Sequence, residues 1–187
     1  SWTDRIRLKG DLRYRVETIK KEEVDLRYRH RIRARPGLVA ELMEGLEVVI
    51  QLGTGFVDDP VSNNQSLTEA FSSKPIWLDL AYFGFTLPGF DSLSLLGGKM
   101  KNPYYKVGKT ELLWDYDLNP EGLALKFERE MGIVRPFLNS GAFFVQERSA
   151  DDDTWMLGAQ AGVKLSLLDK ELYALIGGGY IDYINIE

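Results

Sequence analysis

Apolar and polar residues alternate strictly along two stretches at the start of the chain. In the first, residues 3–18, the apolar positions are Ile6, Leu8, Leu12, Tyr14 and Val16, and charged side chains lie between them. The second stretch, residues 25–36, reads DLRYRHRIRARP and carries an arginine at every second position from 27 to 35. A period of two places these arginines on one face of a β-strand, whereas a helix would spread them around its circumference. The pattern therefore predicts two strands, each with a charged face and an apolar face.

The same alternation continues beyond the turn at Glu44-Gly45. Setting Leu42 opposite Leu46 across that turn also places Leu38 opposite Ile50 and Arg35 opposite Gly53, so a third strand keeps both faces matched. Further strands are predicted at residues 76–87, 92–100, 122–130, 133–147, 154–167 and 171–184. The pattern thus indicates nine strands and no helix. Pro36 falls inside a predicted strand, where its missing N–H favours a local bulge over a strand end.

Short and long connections alternate along the predicted strands. Tight turns at MEG, PGFD, EMG and LDK alternate with KKEE, two long segments and the charged RSADDD. This layout is typical of an outer-membrane barrel, which has short periplasmic turns and longer extracellular loops. The fold class expected is therefore all-β, an antiparallel up-and-down transmembrane β-barrel. Nine strands with ends on opposite sides would not close alone, so residues 1–187 are expected to form a single domain that is the N-terminal portion of a larger barrel.

Composition limits the classes of function that this fold could serve. The chain of 187 residues has a net charge of -5 and an isoelectric point near 5.1, which argues against a protein that coats nucleic acid. Cysteine is absent, so disulfides and thiolate metal sites are excluded. A mean hydropathy of -0.21 is compatible with a membrane barrel, because alternating strands average apolar with polar residues.

Few residues suggest catalysis or metal binding. His30 is the only histidine and lies in the apolar phase, which favours a packed or subunit-facing imidazole over a general base. Asp151, Asp152 and Asp153 lack the spacing of an EF-hand and are expected to be a solvated loop. We therefore expect no catalytic residue, no cofactor, no metal and no enzymatic activity. Trp77, Trp114 and Trp155 lie near predicted strand ends, where an aromatic girdle would sit.

Several motifs resemble the bacterial putative porin family of outer-membrane β-barrels. They are WTDRIRLKGDLRYR, RHRIRARPGL, SNNQSLTEAFSSKPIWLDLAYF, GGKMKNPYY and LLWDYDLNPEGLA, spread over residues 2 to 125. The resemblance implies a porin of the Gram-negative outer membrane, a water-filled channel for passive diffusion of small hydrophilic solutes.

The charged face of the first two strands would then line the pore. The expected pore-lining residues are Arg5, Arg7, Lys9, Arg13, Arg15, Arg27, Arg29, Arg31, Arg33 and Arg35. Four acids share this face or its ends, namely Asp11, Glu17, Asp25 and Glu41. The cationic surplus predicts a preference for anions. The expected partners are outer-membrane lipid and small anionic solutes, with no nucleic acid. Association into a homo-oligomer such as a trimer is compatible with this fold.

Two alternatives use the same strands differently. A soluble lipocalin-like ligand-binding β-barrel would enclose the apolar face and expose the arginines, the inverse of a porin. A structural barrel sheathing a partner would share the porin fold. The longer predicted strands, of about 12 to 20 residues, favour the membrane barrel, since globular strands are typically about 5–6 residues long.

Overall fold

The computed structural model is all-β, and it describes residues 2–56, 58–108, 110–167 and 172–186. The strands are β1 Ile6–Lys9, β2 Leu12–Lys21, β3 Val24–Ala34, β4 Gly37–Met43, β5 Leu46–Thr54, β6 Gln65–Ser66, β7 Ile76–Thr86, β8 Leu93–Lys99, β9 Glu121–Glu128, β10 Val134–Gln146, β11 Thr154–Leu167 and β12 Leu172–Ile184. A short 3₁₀-helix, Trp2–Arg5, precedes them, and no α-helix occurs among the described residues. The strand predicted from Thr3 is therefore wrong for its first three residues. No helix in the described part of the chain is long and apolar enough to cross a membrane.

Nine strands form one antiparallel sheet in the order β1-β4-β5-β7-β8-β9-β10-β11-β12. Each corresponds to one of the nine predicted strands, and β11 has the predicted bounds. Several strands are shorter than expected: β8 and β9 have 7 and 8 residues, whereas β10 and β11 have 13 and 14. Within the described residues β1 and β12 do not pair, so the sheet is open. The antiparallel prediction is confirmed, and closure into a barrel stays a prediction.

The first two predicted strands are each divided in two. Lys9 pairs with Gly37 and Leu12 with Ala34, so the hairpin register is unchanged across the division. The halves nearer the MEG turn, β1 and β4, belong to the main sheet. The other halves, β2 and β3, form a second sheet in the order β2-β3-β6. The expected continuous meander of the first three strands is therefore wrong at this point.

Pro36 and Gly10 explain the division. Proline has no N–H to donate to the ladder, and Gly10 has φ +143, a conformation that side-chain-bearing residues rarely adopt. A Cβ at Gly10 would clash with the carbonyl oxygen of Arg35. Since no residue is inserted in the register, the bulge expected at Pro36 is wrong. The strands are interrupted there, although the N–H of Arg35 still donates to the carbonyl of Asp11 at 2.9 Å.

The two faces of the sheet follow the predicted alternation. Leu8, Leu38 and Ile50 lie in one row across β1, β4 and β5, as the matched phase requires. This apolar face, which we call the open face, is not covered by other parts of the described chain: Leu8 is 85% exposed and Ile50 47%. At the turn a register shift between Glu41 and Met43 places Met43, instead of Leu42, opposite Leu46.

Two long loops fold onto the other face, which we call the covered face. They are the first long loop, residues 55–75, and the second long loop, residues 100–120. Met100 and Tyr104 of the second long loop pack with Ala124, Phe143 and Met156 in a small apolar cluster. Proline and glycine apart, ten polar and eight hydrophobic residues are buried among those described. The interior is thus more polar than apolar, and most of the large apolar side chains lie outside.

Candidate functional site

Six of the predicted pore-lining arginines assemble on the covered face of β2, β3 and the connection to β4. They are Arg13, Arg15, Arg29, Arg31, Arg33 and Arg35, all partly buried. Arg13 lies directly opposite Arg33, and Arg15 lies opposite Arg31. Like charges placed directly opposite each other destabilise a β-ladder. This cationic cluster, which we call the arginine face, therefore requires compensation.

Three carboxylates compensate the two ends of the arginine face. Asp11 pairs with Arg33 at 3.1 Å and with Arg35 at 2.5 Å, and Asp117 of the second long loop pairs with Arg35 at 3.1 Å. At the other end Glu17 pairs with Arg29 at 2.5 Å and also contacts Arg15. Asp11 and Glu17 are two of the four acids that the sequence places on this face or its ends. In the described residues neither Asp25 nor Glu41 forms an ion pair with the ladder.

The centre of the arginine face receives neutral partners. Arg13 donates to Oδ1 of Asn64, and Arg31 donates to the backbone carbonyl of Asn64 at 2.9 Å and to Oγ of Ser62 at 3.4 Å. The short strand β6 then pairs with β3 through Arg31 and Ile32. The first long loop is thereby fixed against the arginines.

The other predicted pore-lining residues lie in more exposed positions. Arg5 belongs to the 3₁₀-helix and donates to the carbonyl of Leu42, and Arg7 lies 3.8 Å from Glu47. Lys9 and Arg27 are exposed. Six of the ten predicted pore-lining residues therefore lie together on the covered face, and the other four lie outside this cluster.

A buried acid that sequence reasoning missed connects both loops to the sheet. Asp79 lies where the pairing of β5 with β7 shifts between Gln51 and Leu52, and it is 2% exposed. Its carboxylate accepts hydrogen bonds from Gln51 at 2.7 Å, Asn63 at 3.3 Å and Asn119 at 2.7 Å. A β-bulge can turn a side chain to the opposite face. The only signal in the sequence was that aromatic residues fall on both faces of the strand predicted at 76–87.

The second long loop is anchored by side chains as well. Gln160 of β11 accepts from the backbone N–H of Tyr105 at 2.6 Å and donates to its carbonyl at 3.0 Å. Lys106 donates to the carbonyl of Trp114 at 3.0 Å, and its ammonium lies 3.9 Å from the ring centroid of Tyr116. Burial lowers the pKa of Lys106 from its usual value, although nearby Asp115 and Glu111 oppose the shift.

Replacing Gln160 by Ala should release the second long loop. The change leaves the N–H and the carbonyl of Tyr105 without their partner, at a cost of about 1–3 kcal/mol. Limited proteolysis should then cut within residues 100–120 faster than in the unmodified protein. Gln146→Ala, at an exposed position of β10, is the matched control and should change nothing. Equal protection of the loop in both variants would show that Gln160 is not its anchor.

The expected aromatic girdle is wrong for two of its three tryptophans. Trp77 lies opposite Gly53 and packs over Gly53 and Gly55 on the covered face. Trp114 belongs to the second long loop and donates to the carbonyl of Leu118 at 2.9 Å. Trp155 alone stays compatible with a girdle, since its ring lies 3.8 Å from that of Phe144, which is half exposed.

The remaining candidate residues stay outside this site. His30 is exposed on the apolar face, so a packed imidazole is wrong, and a subunit-facing one stays a prediction. Its Nδ1 lies 2.5 Å from the hydroxyl of Tyr14. Asp153 accepts from the N–H of Arg148 at 3.0 Å and so helps to shape its turn. Among the described residues no group of three or more acids or histidines is placed to hold a metal ion.

Comparison with known proteins places this arrangement in context. A family model described as "Putative porin" matches residues 19–187, which is most of the chain. The match covers β3 to β12 and both long loops. No curated protein and no solved structure matches the chain.

Proposed function

Since this chain belongs to the putative porin family, we propose that it forms the wall of a water-filled channel in the bacterial outer membrane. The channel passes small hydrophilic solutes by passive diffusion and catalyses no reaction. Anions are favoured among these solutes. The apolar face contacts lipid, and the covered face lines water.

One observation supports this proposal above others, the inverted distribution of side chains between the two faces. Ile50 and Leu8 project from the open face, whereas Asp79 and Asn139 are buried on the covered face. A lipocalin-like barrel would place its apolar residues inside, around a ligand. A wall between lipid and water requires the opposite arrangement, which is the one in this protein.

The covered face also leaves space that suits water. A cavity of about 380 Å³ lies between the second long loop and strands β5, β7, β8 and β9. Its lining includes Glu47, Ser94, Lys101, Lys126 and Glu128. Charged groups of both signs stay hydrated in such a space. The two long loops narrow the channel, and their polar contacts with the sheet hold them inside it.

The anion preference rests on the arginine face. Its six arginines meet the three carboxylates of Asp11, Glu17 and Asp117. Low-dielectric walls focus the surplus positive field into the lumen and raise the local anion concentration. Lipid contacts through the open face, and association of several copies into an oligomer, belong to the same proposal.

The proposal is tested by conductance of the complete protein in planar bilayers. Under a salt gradient the reversal potential should show anion selectivity. Replacing Arg29, Arg31 and Arg33 by Gln should reduce the anion-to-cation permeability ratio severalfold. The change removes half of the arginine face and so weakens the positive field that concentrates anions in the lumen. Arg129→Gln, which removes an exposed arginine at a tight turn, is the control. Absence of conductance would overturn the channel, and selectivity unmoved by the triple change would leave the arginines a structural role only.

A further inference from the structure

We propose that Arg13 and Arg31, at the centre of the arginine face, form a binding site for a small oxyanion, a carboxylate or a phosphate. The site deepens the proposed function, on which its role in permeation rests. Both side chains project from neighbouring strands onto the covered face, beneath residues 62–64 of the first long loop.

The first argument is where the compensating charge is located. The carboxylates of Asp11 and Asp117 pair at one end of the arginine face, and Glu17 pairs at the other. Arg13 and Arg31 lie between these ends and bind only neutral oxygens. Glu17 and Asp59 attract Arg31 through space, and Asp117 and Asp11 attract Arg13 in the same way. Among the described residues none of these carboxylates lies within ion-pair distance of Arg13 or Arg31. The positive charge at the centre is therefore the least compensated part of the face.

Unpaired donors give the second argument. The Nε atoms of Arg13, Arg15 and Arg31 are buried and have no hydrogen-bond partner among the described residues. Buried side-chain donors are normally paired in native proteins. Alternate residues on one strand face lie about 6.6–6.8 Å apart, less than the screening length of about 8 Å at physiological salt. These guanidinium groups repel one another, and a bound anion would relieve that repulsion.

The chemistry of guanidinium identifies the ligand class. Its planar fork of N–H donors matches the two oxygens of a carboxylate or two oxygens of a phosphate, and the resulting bonds are charge-assisted. The side-chain amide of Asn64 accepts from Arg13, where an aspartate of nearly the same shape would complete an internal salt bridge, and the backbone carbonyl of Asn64 accepts from Arg31. The neutral side chain leaves the charge available to a mobile anion.

Binding of inorganic phosphate tests the site directly. Calorimetric titration uses the full chain in detergent micelles, with ionic strength fixed by sodium chloride. Arg31→Gln and Arg13→Gln should each weaken phosphate binding about tenfold or more, since each removes a charge-assisted partner. Arg27→Gln removes an exposed arginine of the same strand and should change the affinity less than about twofold. An equal loss in all three variants would indicate diffuse attraction and would overturn the site.

Asn64→Asp provides a variant that does not depend on removing an arginine. The new carboxylate should form an ion pair with Arg13, weaken phosphate binding about tenfold or more and leave the protein at least as resistant to thermal unfolding. Circular dichroism verifies that each variant is folded. Unchanged phosphate affinity in folded Asn64→Asp would overturn the proposal, as would the absence of phosphate binding by the unmodified protein.

The channel and the site can fail separately. If the protein binds phosphate but conducts no ions, the oxyanion site is supported and the proposed channel is overturned. Conductance without phosphate binding would retain the channel and overturn the site.

Discussion

Replacing Asp79 by Ala should destabilise the protein by about 3–6 kcal/mol and free both long loops. The carboxylate accepts hydrogen bonds from Gln51, Asn63 and Asn119, and it lies in a position closed to water. Hydrogen bonds to a charged group contribute roughly 1.5–3 kcal/mol each, and their loss leaves three amide donors unpaired. Urea unfolding in phospholipid vesicles measures the loss of stability. Proteolysis within residues 55–75 and 100–120 measures the release of the loops.

Asp91→Ala is the matched control for this change. Asp91 is an exposed acid at a tight turn, and its replacement should leave both measurements unaltered. If the protein forms a pore that the two long loops narrow, the conductance of Asp79→Ala should rise. Asp79→Ala could instead unfold at the same urea concentration as the unmodified protein, with both loops still protected from proteolysis. That result would show that the hydrogen bonds of Asp79 do not hold the loops in place.

Replacing Ile50 by Arg should destabilise the protein in a bilayer by roughly 2–4 kcal/mol if that position lies near the midplane. Ile50 projects from the open apolar face, in the row that contains Leu8 and Leu38. A guanidinium there would have to leave water for hydrocarbon, because the residues opposite Ile50 on both neighbouring strands, Leu38 and Ala81, are apolar. Urea unfolding in vesicles again gives the free energy of unfolding.

The same arginine placed on the other face is the control for Ile50→Arg. Glu41 lies on the neighbouring strand, with its side chain on the covered face opposite Glu47. Glu41→Arg should therefore be tolerated, because the new cation meets water and Glu47. Equal costs for the two variants, or no cost for Ile50→Arg, would contradict the assignment of the open face to lipid.

The structure also changes how the arginine alternation is understood. From sequence, ten cations faced four acids, and Asp25 and Glu41 were among the expected compensating groups. In the folded protein Asp117 replaces them, although it lies 82 residues from Arg35 along the chain. A neutral residue, Asn64, occupies the centre of the cluster. The surplus charge is therefore concentrated at Arg13 and Arg31 instead of being spread evenly along the ladder.

Sequence alone determined the nine strands of the main sheet, their antiparallel pairing and, away from the register shifts, the face on which their side chains lie. It could do so because the alternation of a β-strand is local: each residue's face follows from its neighbours, and Leu38 opposite Ile50 follows from the turn between them. Only the tertiary structure decided the division at Gly10 and Pro36, the bulge at Asp79 and the docking of the loops. These features depend on hydrogen bonds between distant residues, such as Arg13 with Asn64, 51 positions apart, and no local period records such contacts.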